Sequence, residues 1–476
     1  MTERRPSIKL NMALNVLLTI ASILFPLITL PYVTRVLEPD GIGKVYFASS
    51  VIALFSMLAE MGIPVYGIRA CARVRDDRAA LTKTAHEILV INLITCAAVY
   101  AAFAVSVAAV PRLYSDKTIL IIMSSGMLLN AVGAEWLFKA LEKYRYITIR
   151  TIIFKAVALI GIFALVKEKD DYIIYGGLTI FAAAASNLVN LCELRRHIDL
   201  HICSGYSFVR HIRPMLVIFM MVVATAVYTN IDMLFLGMMK GDAEAGLYGV
   251  SVKIKLGMVN LVTAASAVLL PRMSYYLDRG HLKEAGTLID KTLTAVCMVS
   301  FPSVCCLIML APECIELLAG SEFEGAVLPM RIIMPAVIFI GISNIAGMQK
   351  LIPMGHESSV TGAAWTGAAV DIVLNTLLIP EFASAGAAAA TLITELTVMI
   401  FLLRAVKKAD GKSLFSGTSI AGIAIAAVLA MPACIPASGI SPALPLRIFA
   451  SGCCYLAVYI ILILLIWRRN GLLRRN

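Results

Sequence analysis

Residues 11–34 read NMALNVLLTIASILFPLITLPYVT, twenty-four positions without one charged side chain. A hydrocarbon core about 30 Å thick takes roughly 20 apolar residues of helix to cross. Inside lipid the backbone has no water to bond, and a helix satisfies its amides internally. This stretch is a membrane span, and the same reading repeats along the chain. Further runs fall at 42–64, 86–110, 118–140, 149–167, 172–192, 213–237, 246–271, 289–311, 326–350, 358–380, 384–406, 415–436 and 446–467, fourteen in all. The fold class is an all-α polytopic membrane protein with short connections.

Composition supports lipid as the solvent. Of 476 residues 60% are hydrophobic and 15% charged, with a mean hydropathy of +0.87. A soluble domain carries about 25% charged residues. The net charge of +11 suggests nucleic acid at first sight. The basic residues sit beside spans and form no basic domain, so anionic lipid headgroups are the expected contact and nucleic acid is not. The 11 cysteines show no CxxC or zinc spacing and read as small apolar residues. His197 and His201 read as a wet basic loop, and neither metal nor cofactor is expected.

Charge sets the orientation. Of the 41 Lys and Arg, 29 fall on the side of the N-terminus and 9 on the other; Lys155, Lys253 and Lys255 lie within spans. Arg4, Arg5, Lys412, Arg474 and Arg475 are among the 29. By the positive-inside rule both termini are cytoplasmic, in the plasma membrane of a prokaryote. The run after Lys9 is too long for a signal-peptide core and reads as a retained first span. The outer loops are short. That weighs against a membrane-embedded glycosyltransferase or polymerase, which needs a loop to hold its catalytic groups.

Two outer turns echo one another. Arg35-Val-Leu-Glu-Pro-Asp-Gly-Ile-Gly-Lys-Val-Tyr joins spans one and two. Leu236-Gly-Met-Met-Lys-Gly-Asp-Ala-Glu-Ala-Gly-Leu-Tyr joins spans seven and eight, about 200 residues on. The echo divides the chain into two pseudo-symmetric six-helix lobes, 1–200 and 201–410, with two further helices and a basic tail over 411–476. Repeated lobes with a site between them are a common transporter plan.

Several stretches resemble bacterial polysaccharide-export flippases of the Wzx type, in the superfamily that also holds multidrug/toxin antiporters and the lipid II flippase. They are Leu30-Pro-Tyr-Val-Thr-Arg-Val-Leu-Glu-Pro-Asp-Gly-Ile-Gly, Asn230-Ile-Asp-Met-Leu-Phe-Leu-Gly, Gly246-Leu-Tyr-Gly-Val, Leu270-Pro-Arg-Met-Ser, Asn375-Thr-Leu-Leu-Ile-Pro and Gly386-Ala-Ala-Ala-Ala-Thr-Leu-Ile-Thr-Glu. The resemblance spans roughly residues 10–405. It implies an undecaprenyl-pyrophosphate-linked oligosaccharide carried from the cytoplasmic to the outer leaflet by alternating access. The partners it implies are that lipid-linked cargo, membrane lipids, and a polysaccharide polymerase with glycosyltransferases. Composition and span positions indicate only a non-enzymatic, transporter-like membrane protein.

Charges inside spans are costly and mark candidate sites. Lys253 heads a stripe with Gly257, Asn260 and Ala264 that suits a cavity. Lys255 points about 200° away, so a structural ion pair or a gate contact fits it better. Arg35, at the outer end of span one, either grips a pyrophosphate bidentately or anchors to Glu38 or Asp40. Lys155, near the cytoplasmic end of span five, either meets incoming phosphate or snorkels. Substrate binding is thus expected of Arg35, Lys253 and Lys155, with Asp232 as their counter-ion. Asp371, Asn375 and Glu395 sit mid-span and form either a proton or cation relay or a bonded helix contact. Glu60 and Glu135 are expected to pair with neighbouring basic residues. An acidic binding lobe would instead indicate a cation-coupled multidrug or metabolite antiporter.

Overall fold

A charge-free run in lipid has one economical way to satisfy its backbone, and the computed structural model is helical almost throughout. It describes residues 8–199, 201, 205–279, 281–411, 414, 419–434 and 443–469. Arg4, Arg5, Lys412, Arg474 and Arg475 lie outside them, as does part of the expected thirteenth span. No strand occurs among the described residues. The helices are α1 (Ile8–Glu60), α2 (Ile63–Arg73), α3 (Arg78–Ala109), α4 (Pro111–Ser115), α5 (Lys117–Gly133), α6 (Glu135–Ala140), α7 (Tyr144–Leu165), α8 (Tyr172–Ile180), α9 (Asn187–His197) and α10 (Val209–Met239). They continue with α11 (Asp242–Asp278), α12 (Leu282–Met309), α13 (Ala311–Leu318), α14 (Val327–Ile333), α15 (Ala336–Asn344), α16 (Glu357–Asp410), α17 (Ser419–Ala430) and α18 (Leu444–Arg469). π-Helical turns at Phe181–Ala185 and Ile345–Leu351 join α8 to α9 and extend α15.

Among the described residues nine helices are long and apolar enough to cross a bilayer. Two of them contain a pair of spans each. α1 leaves helical geometry at Glu38 (φ 55°, ψ 179°), immediately before Pro39, where the proline ring disfavours the helical region for its predecessor. α16 does so at Ala383 (φ 48°, ψ −127°). Ser321–Ile333 and Ala336–Leu351, bent by 44° beside Pro335, are long and apolar enough only as a pair and fall on the tenth expected span. The shorter apolar helices Lys117–Gly133 and Ile420–Cys434 fall on the fourth and thirteenth expected spans. The helices are compatible with fourteen crossings. Through Pro26 and Pro31 α1 stays helical, with Thr29 Oγ1 donating to the Phe25 carbonyl at 3.0 Å.

The chain forms two compact units, Met1–Gly246 and Leu247–Asn476. In unit one α1 packs along α3, α5, α7 and α10. A buried cluster of Ile63, Leu81, Ile88, Trp136, Phe138 and Ile147 fixes the short helices α2 and α6 against α3. Asp77 caps α3 by accepting from the Ala79 and Ala80 amides at 2.9 and 3.1 Å. Unit two builds on α16, which packs against α14 and α15, while α12 packs against α15 and α17. Lipid offers no hydrophobic drive between spans, so small residues that allow close approach hold them together. Gly367, Ala368, Ala387, Ala388 and Ala390 do this on the buried face of α16.

Candidate functional site

In unit one α1 and α7 form a seam with cations along it. Tyr32 Oη donates to the Val166 carbonyl at 2.7 Å and fixes their register. Lys155, half-buried on α7, donates Nζ to Ser22 Oγ at 3.1 Å and lies 5.8 Å from the Phe25 ring centroid. Twelve residues on, Lys167 donates to the Phe163 carbonyl at 2.6 Å and lies 5.7 Å from the Tyr32 centroid. Neither lysine has a carboxylate within ion-pair distance among the described residues; hydroxyls, a carbonyl and aromatic faces hold them. Arg35 is exposed, and its Nη1 donates to the Pro31 carbonyl. Glu38 pairs with Lys169 at 2.5 Å. Lys167 is the last residue of the expected fifth span, 149–167, and its signal in the sequence is a lysine at a span end.

Unit two holds Lys253 and Lys255 on α11. Lys253 is half-buried, a Cβ built on Gly257 meets open space, and Asn260 is exposed. Lys255, on the other side of the helix, is 8% exposed. The two arms of α16 bring Asp371, Asn375, Thr394 and Glu395 into the buried interior of the unit. Thr394 Oγ1 donates to Asp371 Oδ1 at 3.1 Å. Asn375 is fully buried, and among the described residues neither its Oδ1 nor its Nδ2 has a hydrogen-bond partner. One turn earlier on the second arm, Tyr248 Oη and Thr391 Oγ1 share a hydrogen bond of 2.8 Å.

The echoed turns meet inside unit one. Arg112 forms ion pairs with Asp116 at 3.0 Å and with Asp242, and donates Nε to the Gly237 carbonyl at 3.2 Å. Its guanidinium carbon lies 4.9 Å from the Phe47 centroid. A Cβ on Gly43 would overlap the Asp242 carbonyl, and one on Gly246 would overlap the Pro39 carbonyl. Gly246 stands 203 residues after Gly43, as Asp242 stands 203 after Pro39. The contact is therefore reciprocal, each glycine opposite the other turn's carbonyl. Asp232, also in unit one, is buried on α10. Glu135 pairs with Lys139 at 2.7 Å and with Arg150 at 2.8 Å, whereas Glu60 accepts only from an amide, Asn130 Nδ2, at 3.3 Å.

Residues 8–277 match the family described as polysaccharide biosynthesis protein. A putative O-antigen transporter of Shigella dysenteriae is 27% identical over 416 residues, covering 84% of this chain and 100% of that one. A putative O-antigen transporter of Escherichia coli K12 is 21% identical over 409 residues, covering 86% and 98%. The solved structure of the lipid II flippase MurJ, in an inward closed conformation, superposes with a TM-score of 0.76. It is 15% identical and covers 97% of this chain and 99% of that one, a likeness of fold.

Proposed function

The chain belongs to the polysaccharide biosynthesis protein family, and from that premise we propose that it flips an undecaprenyl-pyrophosphate-linked oligosaccharide from the cytoplasmic to the outer leaflet by alternating access. It is a multi-pass membrane protein; the plasma membrane and cytoplasmic termini follow from the distribution of Lys and Arg. The transporter names of its relatives support this reading. The observation that carries it is Lys155: a cation half-buried among apolar helices, held by a hydroxyl and a ring, with no carboxylate to neutralise it.

An isolated charge at membrane depth is retained when it meets an anion or water. A pyrophosphate is such an anion, and its polyprenyl tail stays in lipid while the headgroup passes. Lys155, Arg35 and Lys253 are the proposed pyrophosphate contacts, with Asp232 as counter-ion and Lys255 as a gating contact. Asp371, Asn375 and Glu395 are the proposed coupling group, supported by the buried Asn375 amide that lacks partners. The repeat is read as lobes 1–200 and 201–410 followed by 411–476. A polymerase and glycosyltransferases would act on the same cargo.

The test is export in a strain that depends on this protein for surface glycan. Replacing Lys155, Arg35 and Lys253 together by Gln is expected to reduce surface glycan at least ten-fold at unchanged protein level. Undiminished glycan would remove these cations from the mechanism.

A further inference from the structure

Within unit one, helix ends from across the bundle converge on a cavity of about 280 Å³. Two backbone breaks frame it. α1 ends at Glu60, and Met61 (φ 43°) and Gly62 (φ 76°) turn the chain into α2. α5 ends at Gly133, and Ala134 (φ 42°) turns it into α6 at Glu135. The wall carries Glu60, Asn92, Asn130, Trp136, Lys139 and Asn187, with Glu135 beside Lys139. A hydrogen-bond chain runs round it. Glu60 Oε1 accepts from Asn130 Nδ2 at 3.3 Å, and Asn130 Oδ1 from Asn187 Nδ2 at 3.0 Å. Asn187 Oδ1 accepts from Arg150 Nη1 at 3.2 Å, and Arg150 Nη2 donates to Glu135 at 2.8 Å.

Two polar atoms of this wall have no hydrogen-bond partner among the described residues. Asn92, 2% exposed, donates Nδ2 to the Ala131 carbonyl at 3.1 Å, and its Oδ1 accepts from nothing. Trp136, 4% exposed, has an unpartnered Nε1. Buried polar atoms left in this way are unfavourable unless something in the cavity meets them. The charges are unevenly satisfied as well. Glu135 has two cations, Lys139 and Arg150, and among the described residues Glu60 has none within ion-pair distance. A carboxylate withdrawn from bulk water without a cation takes one up, as a metal ion or as a proton.

We propose that this cavity is the seat of a monovalent cation, H⁺ or Na⁺, with Glu60 as its charged ligand and Asn92 Oδ1 as a neutral oxygen ligand. Oxygen donors suit hard cations. As a proton, the ligand resides on Glu60 and its O–H bonds to an amide oxygen or to water, for which the cavity has room at about 30 Å³ per molecule. The titratable and charged groups that face Glu60 are Cys96 on α3 and Glu135 and Lys139 on α6, with Arg150 of α7 behind Glu135. The seat lies beside two left-handed breaks, so occupancy bears on how α1 meets α2 and how α5 meets α6. It does not depend on what the protein carries.

The three tryptophans are Trp136, Trp365 and Trp467, so Trp365→Phe with Trp467→Phe leaves one reporter in the cavity wall. The full chain in detergent is titrated in two arms: NaCl against choline chloride at constant ionic strength and pH 8, and pH 5–9 without sodium. A saturable change of Trp136 fluorescence is expected in one arm. Sodium is then the ligand if it appears in the first, a proton if only in the second. Glu60→Gln is expected to abolish it. Asn92→Ala is expected to weaken sodium binding, or to lower the proton midpoint, by about ten-fold, one amide hydrogen bond's worth. Flat titrations in both arms overturn the proposal. So does a Glu60→Gln protein that titrates like its parent. If that variant does not run as a single species on gel filtration, Asn92→Ala decides alone, and an unchanged midpoint overturns the assignment.

Discussion

Arg150 begins the residue scale, because sequence and structure read it differently. By position it is one more basic residue at a span end, and the charge rule assigns it to the solvated face. In the fold it is 5% exposed, donating to the Ser186 carbonyl at 2.6 Å and to Glu135 at 2.8 Å. Those partners stand 36 and 15 residues away in the chain, a relation no local pattern reveals. Arg150→Ala would strand part of this network, and breaking a buried pair is unfavourable by about 3–5 kcal/mol. A drop of the unfolding temperature by several degrees is expected in detergent gel filtration after heating, with Arg150→Lys rescuing little because one ammonium cannot span the fork. Asn375 behaves in the opposite sense. Its amide is buried without partners, so Asn375→Leu removes two unsatisfied groups. The variant is expected to unfold at a higher temperature and yet export several-fold less glycan. Equal export would assign Asn375 to packing alone.

At the scale of elements, the long apolar runs were legible because lipid leaves a charge-free stretch of 20 residues no alternative to helix. The breaks were legible where local chemistry makes them. Glu38 precedes a proline, and Ala383 falls in the gap between the expected spans 358–380 and 384–406. The fourth span reads as continuous over 118–140, but it breaks at Ala134. Gly133, just before the break, lies close against α9, where a Cβ would meet the Asn187 side chain. Ala383 takes a conformation that favours glycine (φ 48°, ψ −127°). Ala383→Gly is therefore expected to stabilise by about 1 kcal/mol. Gly386→Ala, whose Cβ would overlap the Leu378 carbonyl, is expected to lower the unfolding temperature in the same assay.

At the scale of the whole molecule, one signal in the sequence bears directly on a contact in the fold: the echoed turns about 200 residues apart. The turns meet in space with glycine opposite carbonyl in both directions. What the sequence withheld was the pairing itself, since a short Gly-rich turn carries no address. A methyl group on either glycine pushes at the same interface, so Gly43→Ala and Gly246→Ala are expected to act alike and together to do little more than one alone. The reactivity of a cysteine placed at the buried Ile42 toward a water-soluble maleimide reads this out, rising several-fold in each single variant. Unaltered labelling would mean that the turns do not depend on this contact.

At this contact main chain touches main chain. Asp40 and Ala243, both exposed beside the contact, can carry spin labels or fluorophores without disturbing the fit. Such a pair becomes a ruler for watching single molecules work, one that reports on the turns while every charged group assigned to the cargo stays native.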